Sequence, residues 1–312
     1  MKNQRIVIIG LGNQGKKRKK LLKSKLTATI DPYVPEANYK STEELENLDF
    51  DSVFLCTPDN VKSALIVKYL EKKKHILVEK PILFSKREYD IIFNLVKKTK
   101  TKLYVAFNHR FEPSIIELKK RIQKNRIGKI YFIEILYSNG TARLVKDSKW
   151  RDKGLGVIPD LMSHIIDMFQ FWFPNHKLNL VAAKSWNIEN NSPDRAIIDF
   201  EIISGNTRIP VRAEVNLLSW KNEFRCKVYG SKGSIKLEDF CKWGISTFSQ
   251  FIRVLPSGVP SVEIKKWKQK DPTWEAEEKF FKNMSLKDSL KNIKDAYSNS
   301  EFINIISRDL NK

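Results

Sequence analysis

Residues 10–20 read GLGNQGKKRKK, three glycines in a short turn followed by five consecutive basic side chains. The two halves of the stretch point in different directions. Gly10, Gly12 and Gly15 have the spacing that cradles a dinucleotide's pyrophosphate, whereas Lys16, Lys17, Arg18, Lys19 and Lys20 have the look of a nucleic-acid patch or a targeting tag. The flanks decide between them. RIVIIG, just before, is a short apolar strand, and QGKKRKKLLKS carries its leucines at helical spacing, so the glycines fall on a strand-to-helix turn. In that setting Gly10 permits the tight turn, Gly12 lets a phosphate approach the backbone, and Gly15 lets helix and strand pack closely. The helix start, with Asn13 and Gln14, would offer its N–H groups to the phosphates. Asp31 ends the next strand, LTATID, where a carboxylate accepts from the adenosine ribose 2′-hydroxyl. Pro32 and Tyr33 follow it and no arginine does, so a 2′-phosphate would meet negative charge without a cation; NAD is favoured over NADP. Five consecutive helical positions wind more than a full turn about the axis. The basic run therefore cannot form one flat face, and it is expected to be mainly a solvated helix exterior, with no nucleic-acid partner.

Outward from this turn the chain keeps alternating. STEELEN, with Ser41 and Glu44 as a capping box, predicts a short helix; DSVFLCTP a strand; NVKSALIVKYLEKK an amphipathic helix; HILVEKP a strand stopped by Pro81. Ser85 and Glu88 repeat the capping box before SKREYDIIFNLVKKT, and KLYVAFN is a further strand. Strands joined by helical crossovers imply a doubly wound parallel sheet. Beyond about residue 127 the pattern changes to long, alternating strands: KIYFIEILYSN, KLNLVAAKSWNI, RAIIDFEIIS, TRIPVRAEVNLLSW, EFRCKVYGS and SVEIKKW. They predict a mostly antiparallel sheet with one wet face, interrupted by a helix over 158–173. The pattern divides the chain into a doubly wound dinucleotide-binding domain over 1–115, a mostly antiparallel-sheet domain over 116–270 and C-terminal helices over 271–312.

Composition narrows the partners. No apolar run approaches the roughly 20 residues that a membrane span needs. MKNQR passes directly into IVIIG, and Cys56, Cys226 and Cys241 lack metal-ligand spacing, so a cytoplasmic protein with neither signal peptide, metal centre nor disulfide framework is expected. Lys and Arg number 57 against 36 Asp and Glu, a net +21, which favours anionic partners. Basic residues occur in every segment rather than in one tail, so heavy lysine usage alone accounts for most of that charge.

Two places carry candidate chemistry. VEKP, residues 78–81, lies at the C-terminal end of a predicted parallel strand, the edge where open α/β sheets bind ligands, so Lys80 could donate to a substrate oxygen. In PDLMSHIID, Asp160 and His164 are four residues apart on the predicted helix, with Leu161, Ile165, Met168 and Trp172 as its anchoring stripe. A histidine beside a carboxylate can take a proton near neutral pH. His75, His109 and His176 are expected to be packing or surface residues.

Taken in order, the glycine turn, the acid after the second strand, Thr57-Pro58, Glu79-Lys80-Pro81 and the D-x-x-x-H of Asp160 and His164 resemble the Gfo/Idh/MocA oxidoreductase family along essentially the whole chain. The resemblance implies a Rossmann domain over 1–115, an open antiparallel sheet over 116–270 that carries the substrate pocket and a dimer or tetramer interface, and C-terminal helices over 271–312 that pack back on the Rossmann domain. It also implies NAD(P)-linked chemistry on sugars, cyclitols or nucleotide sugars, and it places Thr57, Pro58, Glu79, Lys80 and Pro81 at the cofactor. His164 would then remove a hydroxyl proton, Lys80 would polarise the same oxygen or relay the proton, and Asp160 would bind a neighbouring hydroxyl. Trp150 could face a sugar ring, and Arg110, Arg143 or Arg151 could meet an anionic group, which tilts the expectation toward a phosphorylated or nucleotide-linked sugar. Two rivals use the same scaffold: a redox-neutral, NAD-dependent glycoside hydrolase and a non-catalytic NAD sensor. The chain departs from the family pattern at Lys62, where a histidine is usual, and at Met162, where the helix motif usually has glycine. Gly154 and Gly156 are two glycines where many members have three.

Overall fold

The computed structural model describes residues 5–148 and 151–312. They form two compact units, one of residues up to Phe107 with Trp274–Ser300, the other of Asn108–Thr273 with Glu301–Lys312.

In the first unit the chain runs β1 (Ile6–Ile9), α1 (Asn13–Leu22), β2 (Leu26–Ile30), β3 (Ser52–Leu55), α2 (Asp59–Glu71), β4 (His75–Glu79), α3 (Lys86–Thr99) and β5 (Leu103–Ala106). The strands form one sheet in the order β2-β1-β3-β4-β5, and each neighbouring pair is parallel. Every residue of β1, β3 and β5 is buried, as a parallel sheet covered on both faces requires. The predicted capping box at α3 is complete: Glu88 N donates to Ser85 Oγ while Ser85 N donates back to Glu88 Oε2. The predicted helix in STEELEN is reduced to a single 3₁₀ turn, Glu43–Leu45. There Glu44 accepts from the backbone N–H groups of Lys40 and Ser41, but the Ser41 side chain caps nothing, so one half of the box is missing.

The second unit contains α4 (Pro113–Gln123), β6 (Ile130–Ser138), α5 (Ala142–Lys146), α6 (Ser163–Trp172) and seven further strands: β7 (Lys177–Trp186), β8 (Arg195–Ser204), β9 (Thr207–Asn216), β10 (Glu223–Gly230), β11 (Gly233–Glu238), β12 (Ser246–Ile252) and β13 (Val262–Trp267). They make an eight-stranded sheet in the order β13-β12-β11-β10-β6-β9-β8-β7, with β6–β9 its one parallel pair. Alternation is regular in β8 and β9. Ala196, Ile198, Phe200 and Ile202 of β8 and Ile209, Val211, Ala213 and Val215 of β9 point into a core shared with Ile165, Met168, Phe169 and Trp172 of α6. The opposite face is polar, with Arg212 paired to Asp199, Arg195 to Glu214 and Arg208 to Glu201. The predicted helix over 158–173 differs at its start, because Ile158–Met162 is a π-helical turn that passes into α6. Asp160 therefore sits on a wider turn than an α-helix would give it.

Two helices close the chain, α7 (Thr273–Asn283) and α8 (Leu286–Leu310). In the first unit α8 satisfies the open edge of β5. Ser289 Oγ accepts from Leu103 N and donates to Leu103 O, and Asn292 does the same for Val105 through its side-chain amide. Side chains thus stand in for the missing neighbouring strand, which blunts the edge against further pairing. No helix among the described residues is long and apolar enough to cross a membrane.

Candidate active site

The glycine turn is built as its spacing requires. Gly10 has φ +92° and donates to Ile30 O at 2.8 Å, and a side chain there would meet Cys56 O at 2.6 Å. At Gly15 a Cβ would run into the carbonyl of Gly10, so helix and strand touch through that hydrogen. Gly12 is different: nothing lies within 4 Å of where its Cβ would stand, and the space opens in front of the first turn of α1. Asn13 is exposed there and Gln14 half-buried. Asp31 is held by three backbone N–H groups, from Leu11 (2.7 Å), Tyr33 (2.9 Å) and Val34 (3.0 Å). Burial works against its charge, but these donors outweigh it and hold the carboxyl below its ordinary range. Gln14 Oε1 and Thr57 Oγ1 are buried polar atoms with no hydrogen-bond partner, and Pro58, next to Thr57, leads into α2. Open space at Gly12, an ionised Asp31 and unsatisfied donors and acceptors at Gln14 and Thr57 fit a dinucleotide.

The basic run needs one correction. Lys16, Lys17, Lys19 and Lys20 are exposed, but Arg18 is fully buried, because its helical position faces the sheet. Its Nε donates to Glu79 Oε1 at 2.8 Å and its Nη2 to Glu277 Oε2 at 2.5 Å, and its guanidinium lies 4.3 Å from the Trp274 ring centre. The Glu79 carboxylate, expected beside the cofactor, is thereby bound into the interior of the unit. Burial opposes the charge on Arg18, yet the two carboxylates outweigh it and raise its pKa. Lys80 follows, half-buried, joined to Pro81 by a cis peptide bond. The lysine that replaces the usual histidine, Lys62, is buried and donates to Asp59 Oδ1 (2.6 Å), Glu79 O (2.7 Å) and Pro81 O (2.8 Å).

In the second unit His164 is buried on α6, and its ring stacks on that of His109 with centres 4.0 Å apart and planes at 15°. The Nε2 of His109 is 2.9 Å from the Tyr137 hydroxyl, and Lys242 Nζ donates to the same oxygen at 3.4 Å. Burial first, then the negative charges of Asp160 and Asp271, push the Tyr137 hydroxyl far above its ordinary pKa, so it remains a proton donor. Asp160 is 3.5 Å from Arg151 Nη2. Arg110, expected to meet an anionic group, instead makes a two-pronged ion pair with the buried Asp167 (2.7 and 2.6 Å). Arg143 is nine-tenths exposed and lines an open cleft of about 480 Å³ with Lys146, Asp147, Ile188 and Glu189. Trp150 lies outside the described residues.

Sequence reasoning missed Tyr137, Lys242 and the inward turn of Arg18; it marked Lys62 only as a departure, and it placed His109 among packing or surface residues without its partners. His109 carried one usable signal: NHRF begins just beyond β5, at the ligand-binding edge of a parallel sheet. Tyr137 lies within an alternating strand and reads as an ordinary core aromatic.

Comparison with known proteins gives two family profiles, an oxidoreductase-family NAD-binding Rossmann fold over residues 4–107 and an oxidoreductase-family C-terminal alpha/beta domain over residues 119–250. Among curated relatives, inositol 2-dehydrogenase of Rhizobium meliloti is 27% identical over 194 residues, covering 61% of this chain and 58% of the relative. The chain thus spans somewhat more than half the length of that relative. Among solved structures, UDP-N-acetylglucosamine 3-dehydrogenase of Acidithiobacillus ferrooxidans superposes with a TM-score of 0.78 at 16% identity, covering 99% of this chain and 98% of that one. A levoglucosan dehydrogenase in complex with NADH gives 0.77 at 17% identity, over 99% and 98%. At these identities the structural matches establish the shared fold.

Proposed function

The chain belongs to the Gfo/Idh/MocA family of oxidoreductases, and we propose that it is an NAD-dependent dehydrogenase of a sugar, cyclitol or nucleotide sugar. The observation that carries the proposal is the glycine turn with space open at Gly12 and a charged Asp31 behind it, in a chain that also buries a histidine pair on a second framework. The relatives' names, for an inositol, a nucleotide sugar and levoglucosan, support the substrate class.

Bound NAD supplies the hydride acceptor. The first turn of α1, at Asn13, Gln14 and Gly15, would hold the phosphates with its backbone N–H groups. Asp31 would accept from the ribose hydroxyl through the one Oδ2 lone pair that Leu11, Tyr33 and Val34 leave unused, and its negative charge would disfavour the 2′-phosphate of NADP. Thr57, Pro58 and Pro81 would border the nicotinamide half. On the substrate, His164 takes the hydroxyl proton, held in its plane by His109. Lys80 donates to the substrate oxygen, Asp160 binds a neighbouring hydroxyl, and Arg143 and Arg151 are the cations available to an anionic substituent. The protein works as a homodimer or homotetramer through the outward face of the eight-stranded sheet, where Phe132 is exposed and stacks on Tyr229.

The test is nicotinamide absorbance on mixing the protein with NAD and a panel of sugars, cyclitols and nucleotide sugars, with the Lys80→Ala variant alongside. NADH formed with one substrate class, and lowered about 10²–10⁴-fold in the variant, is the expected result. NAD binding without net turnover on any substrate would overturn it in favour of a redox-neutral hydrolase or a sensor.

A further inference from the structure

We propose that Lys62 is a positioning residue that acts through Lys80, clamping the two peptide carbonyls on either side of it. The inference rests on the dehydrogenase reading for what Lys80 does, but its geometry stands on the first unit alone. An ammonium has three donors and no acceptor. Lys62 has three acceptors within 2.6–2.8 Å: the Asp59 carboxylate, Glu79 O and Pro81 O. Only the protonated form satisfies all three, since a neutral amine has two donors. A buried cation survives only when so paired, and removing it leaves the acceptors unmet.

Glu79 O and Pro81 O belong to the residues immediately before and after Lys80. With both carbonyls held by one buried nitrogen, neither the Glu79–Lys80 nor the Pro81–Ile82 peptide plane can turn without breaking a charge-assisted bond, and the Lys80–Pro81 peptide is strung between the two. The Glu79 side chain is fixed separately by Arg18. The Lys80 side chain therefore leaves from a backbone tied on both sides. The histidine that the motif usually carries at this position has, when neutral, one N–H donor and could hold one carbonyl; lysine holds two and a carboxylate besides. Lys62 thus supplies the rigid base that a catalytic lysine requires, because a 1 Å misplacement of a reacting group costs about 10²-fold in rate.

The experiment is a double-mutant cycle of Lys62→Met and Lys80→Ala, with NAD affinity measured by calorimetry and hydrogen exchange followed in the peptide spanning residues 79–83. We expect Lys62→Met to lower kcat about 10²-fold with NAD affinity little changed, and to add less than about twofold in the Lys80→Ala background. We also expect faster exchange confined to residues 79–83. Multiplying effects in the double variant, or unchanged exchange, would overturn the proposal. Should Lys62→Met fail to fold, Lys62→His carries the same cycle, with a smaller loss of kcat that again disappears without Lys80. If the wild-type protein oxidises no substrate on the panel, the dehydrogenase reading has failed, and the exchange measurement alone decides whether Lys62 clamps the segment.

Discussion

His109 and Arg18 show what single side chains do here that their neighbours in sequence do not announce. His109 joins the Tyr137 hydroxyl to the His164 ring, so the two roles can be separated. His109→Phe keeps a ring against His164 and should leave turnover within about tenfold, since stacked rings contribute about 0.5–1.5 kcal/mol. It also removes a buried partner of Tyr137, which should lower stability by about 1–3 kcal/mol in urea unfolding. Unaltered stability would show that the Tyr137 bond carries nothing. Arg18 bridges two buried carboxylates, Glu79 and Glu277. Arg18→Met strands both and should destabilise the fold by about 3–5 kcal/mol, whereas Lys19→Met, one position along on the exposed side of α1, should cost almost nothing. Equal melting temperatures for the two variants would contradict the geometry.

At the scale of the element, the strand–turn–helix at the N-terminus separates folding from binding within five residues. A Cβ at Gly15 collides with the Gly10 carbonyl inside the turn, so Gly15→Ala should lower the melting temperature markedly. A Cβ at Gly12 meets only open space, so Gly12→Ala should fold as well as the wild type and lose NAD affinity, read by calorimetry. Loss of stability without loss of affinity at Gly12 would mean that the dinucleotide binds elsewhere. Helix α3 is anchored by its complete capping box, and Ser85→Ala should cost about 0.5–2 kcal/mol. The π turn at Ile158–Met162 is where the helix pattern was misread, because Asp160 and His164 lie four apart in sequence whichever kind of turn joins them.

Across the whole molecule, two kinds of carboxyl set the pH dependence with opposite signs. Burial pushes Glu277 up to about 7, opposed by the adjacent Arg18, while its unfolded value is 4.5. The folded chain then holds more protons than the unfolded chain between those values, so this group favours folding below about 4.5 and its contribution is lost as the pH rises through 7. Glu277→Gln should flatten the stability profile over that window in urea titrations. Asp152 acts the other way. The amides of Ser192 foremost, and of Asn191, bring it down to about 2, so its support is present above 3.8 and is lost as the pH falls toward 2. A stability that rose steadily from pH 4.5 to 7 even in Glu277→Gln would identify other groups as dominant.

Local periodicity and short motifs are readable along the chain without a structure. The change from strand–helix alternation to long alternating strands, the glycine turn with Asp31, and the Ser85 capping box were legible because each depends on residues a few positions apart, or on which face of a strand is wet. Tertiary structure alone decided which distant groups meet. Arg18 faces inward because Glu79 and Glu277, 61 and 259 residues away, are there to receive it. Lys62 reaches carbonyls 17 and 19 residues on, and His109 finds Tyr137 28 residues later on a different element. Ser289 and Asn292 close a strand edge nearly two hundred residues upstream. A hydrophobic period tells which side of an element is buried. It carries no record of which charged or polar group will lie opposite, and those pairings, made only when the chain has folded, hold the candidate site in place.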